Sequence, residues 1–134
     1  MIDDLKTYLE ANATLQTMLN GNAGNKKVFY QVPEPGETTP YLVLSMSTDG
    51  SGDNVLEEHM VQIATVAETY AEALAIARHI DSLLDVWDGL AITSSTFHIY
   101  YGRKVGGSDA FEDDTRLHKL NRIFHFKFKT KTGG

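Results

Sequence analysis

Apolar side chains recur at helical spacing in two parts of the chain. The first stripe covers residues 2–20 and is weakened by the sequence ANAT, which predicts one interrupted helix or two short ones. The second begins after Thr69 and Glu72, whose spacing is that of a capping box, and it ends before Gly89. Its apolar face comprises Ala73, Ile76, Ala77, Ile80, Leu83, Leu84 and Trp87. A long amphipathic helix is therefore predicted over this face.

Five segments have the β-branched and aromatic composition of strands. They are KKVFYQ, YLVLSMST, Val55 to Val66, LAITSSTFHIYY and RIFHFKFKTK. In the last, Phe124, Phe126 and Phe128 alternate with basic side chains, which predicts one buried face and one solvated face. The sequence DGSGDN predicts the turn of a long hairpin between the second and third strands, and GRKVGGSDAFEDD is predicted to be a mobile loop.

The order of these elements is helix, three strands, helix, two strands. It predicts an α+β fold in which a mainly antiparallel sheet of about five strands has two principal helices packed on one face. The sequence contains no internal repeat and no composition shift that would mark a linker. Residues 1–134 are therefore predicted to form a single domain, of a length that can bury a core.

The prolines Pro33, Pro35 and Pro40 are the only three in the chain, and they lie between the first two predicted strands. Because proline fixes φ and lacks an amide donor, this segment is predicted to be a shaped connector outside the sheet ladder. Glu34 and Glu37 are its only ionisable groups, and neither has an evident partner in the sequence.

Composition narrows the class of protein. The chain is 42% hydrophobic and 22% charged and has no cysteine, which is typical of a globular protein and excludes disulfide scaffolds, zinc–thiolate sites and cysteine nucleophiles. No apolar run approaches the roughly 18 residues that a membrane helix needs, and the N-terminus lacks the pattern of a signal peptide.

The net charge of −6 conceals an asymmetry, since no acidic residue follows Asp114. The basic residues beyond it are Arg116, Lys119, Arg122, Lys127, Lys129 and Lys131. A basic tail of this kind indicates either nucleic-acid binding or an acidic surface on the same molecule or a neighbouring copy. The second interpretation is favoured because the lysines are interleaved with core-type phenylalanines.

The candidate chemical sites each lack a required group. Asp49, Ser51 and Asp53 alternate as in a calcium loop, but Asn54 and Met60 occupy the positions that need glycine and glutamate. The five histidines have no metal-binding spacing, and the glycine-rich segments match neither a phosphate loop nor a dinucleotide fingerprint. The sequence therefore predicts no catalytic residue, no metal and no cofactor.

The stretch KVFYQVPEPGETTPYLVLS, the long hairpin, the helix TYAEALAIARHIDSLLD and the closing strand follow one another in an order that resembles a known family. It is that of the tail-completion proteins of long-tailed bacteriophages, also described as tail-to-head joining or tail terminator proteins. The resemblance covers roughly residues 2–130. It rests on the order of elements and on the Pro–Tyr junction that opens the second strand.

The resemblance implies a structural virion protein without enzymatic activity. Such proteins form a ring, usually of six copies, that terminates the tail tube and joins it to the head connector. The implied partners are further copies of the chain, the tail tube protein and a head connector or head-completion protein, with DNA only as passing cargo and no membrane. The implied location is the tail or neck of the virion, after assembly in the host cytoplasm. The family has no catalytic motif to transfer.

Two sets of charged residues are candidates for interaction. One hypothesis places the basic residues of the last strand against acidic groups of a neighbour; these are Lys127, Lys129 and Lys131. The other places the acidic hairpin tip near the lumen, where it would repel DNA phosphate; its residues are Asp49, Asp53, Glu57 and Glu58. Two other classes remain open, namely another phage neck or head-completion component and a small ligand-binding or enzymatic domain.

Overall fold

The computed structural model describes residues 2–33, 36–50, 57–85, 92–93, 97–113 and 115–130. These residues form three helices and six strands. The elements in chain order are α1 (Ile2–Glu10), α2 (Ala13–Leu19), β1 (Val28–Tyr30), β2 (Tyr41–Gly50), β3 (Glu57–Ala67), α3 (Tyr70–Leu84), β4 (Ile92–Thr93), β5 (Phe97–Glu112) and β6 (Leu117–Thr130).

The strands belong to one sheet in the order β1-β2-β3-β6-β5-β4. β1 runs parallel to β2, and the other neighbours are antiparallel. The predicted α+β class is confirmed, with six strands in the described part of the chain where about five were expected. The centre of the sheet is the pairing of β3 with β6, which joins segments on either side of α3.

One face of the sheet carries the core, and all three helices pack on it. The central positions of β2, β3 and β6 on this face are fully buried because leucine, valine, isoleucine and phenylalanine side chains there meet the apolar stripes of the helices. The central members of this core are Leu42, Leu44, Val61, Ile63, Phe124 and Phe126. The predicted burial of Phe124 and Phe126 is thereby confirmed.

The N-terminal stripe forms two short helices. Asn12 ends the interruption between them, because its side-chain oxygen accepts a hydrogen bond from the amide of Leu15 at 2.8 Å and so caps α2. Asn20 closes α2 in the left-handed conformation at φ 56°. His79 of α3 contacts Asn12 Oδ1 at 3.1 Å, which links the start of α2 to the long helix.

The long helix begins as predicted and ends earlier. The hydroxyl of Thr69 accepts a hydrogen bond from the amide of Glu72 at 3.2 Å, which confirms the N-cap. α3 is helical through Leu84, and Asp85 leaves the helical conformation at φ −87° and ψ 77°. Trp87 and Gly89, which the sequence placed in and after the last turn, lie outside the described residues.

The largest error of the sequence interpretation concerns GRKVGGSDAFEDD. Its residues through Glu112 belong to β5, a strand of 16 residues that pairs with β6 from Phe97 to Glu112. The segment has no alternation of buried and exposed positions, since every residue from 103 to 113 is exposed. The segment is therefore a strand because its backbone pairs with β6, and not because its side chains are buried. Its glycines give it a composition that is not typical of strands.

Other boundaries shift by a few residues. LAITSSTFHIYY forms two strands, β4 and the start of β5, with residues 94–96 outside the described part. β6 begins at Leu117, five residues before the predicted start, because the partner strand β5 is also longer than predicted. β2 continues through Gly50 and β3 starts at Glu57, while residues 51–56 of the predicted turn lie outside the described residues.

Gly102 allows α3 to end against β5. A Cβ atom at this position would lie 2.4 Å from the carbonyl oxygen of Leu84 and 3.0 Å from the ring of Phe126. We expect Gly102→Ala to lower the free energy of unfolding by about 1–3 kcal/mol, because either the helix end or the core ring must move.

Gly106→Ala is the matched control, since its added Cβ would meet only Ile123, at an ordinary 3.9 Å. Urea unfolding followed by circular dichroism measures both variants. Equal stability of the two would contradict the close packing of α3 on Gly102.

Candidate interaction surfaces

The face of the sheet opposite the helices carries mixed polar and apolar side chains. We call it the open face; it includes Val43, Gln62, Ala64, Asn121 and Ile123, which share one side by the register of β2, β3 and β6. Gln62 donates to Asn121 Oδ1 at 3.1 Å, and Asn121 donates to the Ser108 hydroxyl at 3.3 Å. These side-chain hydrogen bonds therefore join the neighbouring strands β3, β6 and β5 on the open face, and no helix residue takes part in them.

The charged residues predicted from the hairpin and from the last strand meet on the open face. Glu58 lies 3.4 Å from His125 Nε2 and 3.6 Å from Lys127 Nζ. The Glu58 and Lys127 side chains are 37% and 40% exposed, so this pair adds little to stability. Acidic and basic candidates that were assigned to different partners thus lie beside each other in one subunit.

The remaining candidates are placed by backbone pairing alone. Asp49 is opposite His59, Glu57 is opposite Phe128, and Lys129 is opposite His98, while the side chains of these three candidates lie outside the described part. Asp53 and Lys131 are also outside it. The structure therefore brings Asp49, Glu57 and Glu58 to one end of the β2–β3 pairing and leaves the interaction hypotheses as predictions.

The hairpin of β5 and β6 lies beside α3, with contacts from Asp81–Lys104 to Tyr70–Asp109. We call its described residues, 103–113 and 115–122, the arm. An aromatic and cationic cluster lies near its tip, where the Phe111 and His118 rings are 4.8 Å apart and the Arg116 guanidinium lies 5.9 Å from the Phe111 ring centroid. Tyr70, at the start of α3, packs against His118 with ring centroids 6.0 Å apart. The arm is thus attached to the helical layer through β6, where Leu120 is buried, while its β5 strand is exposed.

Ion pairs hold the arm to the rest of the subunit. Lys104 Nζ lies 3.1 Å from Asp81 of α3, and Arg122 lies 3.2 Å from Asp109 across the two arm strands. Arg122 also donates to the carbonyl of Asn121 at 3.0 Å. These contacts orient the arm, but they leave its β5 side exposed.

The proline-marked connector contains an ion pair that the sequence did not reveal. Lys27 Nζ lies 2.7 Å from Glu37 Oε1, with side chains only 6% and 9% exposed. Lys27 also donates to the carbonyl and hydroxyl of Thr38, and Asn25 donates to both Glu37 oxygens at 3.1 and 3.2 Å. The hydrogen bond from Lys27 lowers the pKa of Glu37, against an opposing effect of burial.

The junction that follows is built from buried and aromatic side chains. Pro40 is buried, and the Thr39–Pro40 peptide bond is cis. Tyr41 packs edge-on against Phe29 of β1 with ring centroids 6.1 Å apart, and burial, together with the charges of Glu112 and Glu37, raises the pKa of Tyr41. The end of the connector is therefore packed into the fold where β2 begins.

The described residues offer little to a small ligand. They contain no group of three or more side chains suited to a metal ion, and none of their helices is long and apolar enough to cross a membrane. Depressions lie beside the arm and beside β1. The first is lined by Lys104, Gly106, Gly107, Ser108, Asp109 and Arg122, and it lacks an apolar wall that would enclose a ligand.

The fold is shared with a virion protein. A chain in the structure of the virion of a native gene transfer agent particle superimposes with a TM-score of 0.68 at 16% sequence identity, and the match covers 93% of this chain and 90% of that chain. No protein-family model and no curated protein matches the sequence. At this identity the likeness establishes a common fold over nearly the whole length of both chains.

The buried pair predicts an acid-sensitive contribution to stability. We expect Glu37→Gln to lower the free energy of unfolding by about 2 kcal/mol at pH 7, because the Lys27 charge loses its buried counter-charge. The contribution of Glu37 is fully present above its unfolded pKa of about 4.3. It is lost as pH falls through the lower folded-state pKa, so the two proteins should converge in acid.

Glu10→Gln serves as the control, since Glu10 forms a more exposed pair with Lys6 at 3.1 Å and should cost no more than about 0.5 kcal/mol. Urea titrations between pH 3 and pH 7 measure how much each substitution lowers the free energy of unfolding. A Glu37→Gln effect that is as small as that of Glu10→Gln, or that grows in acid, would contradict the assignment.

Proposed function

We propose that the chain is a structural protein of a phage-like virion that forms a ring, of six copies, at the head-proximal end of the tail. In this role it terminates the tail tube and joins it to the head connector, and DNA passes through the ring without being recognised. It has no catalytic activity and needs no cofactor. Its partners are further copies of itself, the tail tube protein and a connector or head-completion protein.

The observation that carries the proposal is the match to a gene transfer agent virion chain over 93% of this chain. A match of this extent leaves no large insertion in which a separate activity would reside. It supports a virion component in general, and the tail terminator role comes from the order of elements and the proline-marked junction seen in the sequence. The same likeness suits another neck or head-completion component, which binding to tail tubes would distinguish.

The surfaces of the subunit agree with an assembly role. Most of the core lies on the helix side of the sheet, although Ala64 and Val66 of the open face are also buried. The open face and the arm therefore offer extended surfaces of mixed polarity, as protein interfaces do. A small-molecule site would need an enclosed apolar pocket with converging polar groups. The depression beside the arm is shallow and lined by small and charged residues, which favours interaction over catalysis.

The candidate charged residues fit this role as follows. Lys129 and Lys131 follow Lys127 in the sequence, and Lys127 already lies near Glu58 in its own subunit. We assign the contact with an acidic neighbour mainly to these two lysines. Asp49, Asp53 and Glu57 remain the candidates for the lumen, where their charge would repel DNA phosphate.

Binding to tail tubes tests the proposed function. We expect the purified protein to cap the ends of tail tubes from its own particle as a ring visible by electron microscopy, and to bind more weakly as salt rises from about 50 to 500 mM. Lys129→Gln with Lys131→Gln should weaken this binding by about tenfold. Lys6→Gln with Lys26→Gln removes the same charge elsewhere and should not.

Light scattering and sedimentation of the protein with and without tubes measure ring formation and binding. Failure to bind tail tubes at any salt concentration would exclude the terminator role. Tube binding that salt and the Lys129/Lys131 variant leave unchanged would instead remove the charged contact from the proposal.

Shortening the hairpin tests the acidic tip. Deletion of residues 50–53 removes Asp53 and the end of β2 while leaving the core pairs of β2 and β3 in place. We expect this variant to fold and to bind tubes, yet to give few joined, DNA-filled particles in a complementation assay. Normal yields of infectious or DNA-transferring particles would contradict a role for the tip, and replacement of residues 50–53 by four serines controls for loop length.

A further inference from the structure

The outer edge of β5 lacks a neighbouring strand along the arm. β4 pairs only with His98 and Ile99, and the Asp85 carboxylate at the end of α3 accepts a long hydrogen bond from the amide of Lys104 at 3.4 Å. Beyond Lys104, no strand of the described residues lies beside this edge. The arm therefore presents about eight residues of strand edge, from Val105 to Glu112, all of them exposed.

The peptide groups of this edge point outward at alternate residues. The amide of Arg116 donates to the carbonyl of Glu112 at 2.7 Å, so the Glu112 carbonyl faces β6. In an antiparallel pair, residues that bond to one neighbour alternate with residues that bond to the other. The peptide groups of Asp109 and Phe111 accordingly face away from β6 and are available to a further strand.

Beyond the bulge at Lys104–Gly106, the edge has few of the features that usually protect such strands. Natural edges carry prolines, lysines, inward charges or bulges that prevent pairing. Between Val105 and Phe111 the sequence is VGGSDAF, with Asp109 as its single charge and no proline. Small residues at positions 106, 107, 108 and 110 also allow another backbone to approach closely.

The sequence of the edge is complementary to itself when it is reversed about Ser108. Two basic residues stand at one end and two acidic residues at the other, with one large apolar residue inside each pair. In order, the strand reads Arg103, Lys104, Val105, Gly106, Gly107, Ser108, Asp109, Ala110, Phe111, Glu112 and Asp113. Antiparallel pairing of two copies about Ser108 therefore brings opposite charges together at both ends.

We propose that two copies of this chain pair through the outer edges of β5, antiparallel and about a two-fold axis at Ser108. Val105 of each copy then lies opposite Phe111 of the other. These two side chains are 47% and 44% exposed in the isolated subunit. Because a two-fold interface repeats each contact, the dimer covers both side chains in both copies. The two six-stranded sheets become one continuous sheet.

The irregularity between Lys104 and Gly106 is compatible with this pairing. The pairing with β6 passes over Val105, which is the extra residue of the bulge. Pairing of the outer edge that includes Val105 places Arg103 opposite Asp113 of the second copy, and pairing that passes over it places Arg103 opposite Glu112. Both are acidic, and all three side chains are exposed. The charge match therefore does not depend on which residue the bulge takes up.

The contact is independent of the proposed place in the virion. A two-fold interface closes on itself and cannot by itself build a six-fold ring, so ring contacts must use other surfaces, such as the open face. A monomeric protein that still caps tail tubes would overturn the two-fold contact and leave the proposed function standing. A dimer that fails to bind tail tubes would support the two-fold contact and exclude the proposed function.

Sedimentation equilibrium of the full chain tests the contact. We expect the free protein to be a dimer, and Val105→Lys to weaken dimerisation by at least tenfold because it buries two like charges per dimer. Val32→Lys is the matched control: Val32 is 71% exposed and follows β1 at the other edge of the sheet, so this variant should remain dimeric. Circular dichroism checks that both variants are folded.

Charge exchange gives a second and more specific test. Arg103→Glu with Lys104→Glu should weaken the dimer by about tenfold, as should Glu112→Arg with Asp113→Arg, whereas the four changes together should restore most of the affinity. Amides of Asp109 and Phe111 should exchange more slowly with deuterium as protein concentration rises. A monomer at all concentrations, an oligomer that Val105→Lys leaves intact, or a quadruple variant without recovery would each overturn the proposal.

Discussion

The pairing of β3 with β6 is the constraint on which the rest of the structure depends. The two strands align over eleven pairs from Glu57–Phe128 to Ala67–His118, although Gln62 and Asn121 are 59 residues apart in sequence. This register fixes which side chains face the helices, because a shift of one residue would turn Phe124 and Phe126 to the opposite face. It also places β5 at the outside of the sheet, where β6 is its main neighbour.

The helices cover only part of the sheet, and this limited coverage produces the surfaces that carry the proposed function. α3 contacts β3, β6 and β5, and it ends where Gly102 lets the carbonyl of Leu84 approach. In the arm, Leu120 of β6 is buried against Ala73 and Ala77 of α3, whereas β5 from Arg103 onward is exposed and is held by backbone pairing and ion pairs. A subunit built this way has a core on one side and extended, partly polar surfaces elsewhere, as a component of a larger assembly requires.

Sequence patterns predicted the parts of the fold that burial dictates. The alternation through Phe124 and Phe126 and the Thr69 cap both came directly from local residue types, and both were confirmed. The arm was missed because its strand is stabilised by a partner strand and not by burial, so it has no hydrophobic period to detect. The pair of Lys27 with Glu37 was missed because it depends on how the connector folds back; the only available signal was a lysine next to a buried strand.

The charged candidates show why sequence predicts a polar surface more readily than its partner. Acidic and basic segments far apart in the chain suggested contacts between subunits, yet β3–β6 pairing brings Glu58 and Lys127 within 3.6 Å inside one subunit. Exposed pairs of this kind contribute little to stability and exchange partners at low cost. Charge that is paired in the isolated subunit can therefore pair again with a neighbour. The β5 edge differs, because no other described strand of the subunit bonds to its outward peptide groups along the arm. Only the edge of a further strand can form hydrogen bonds with all of these groups together.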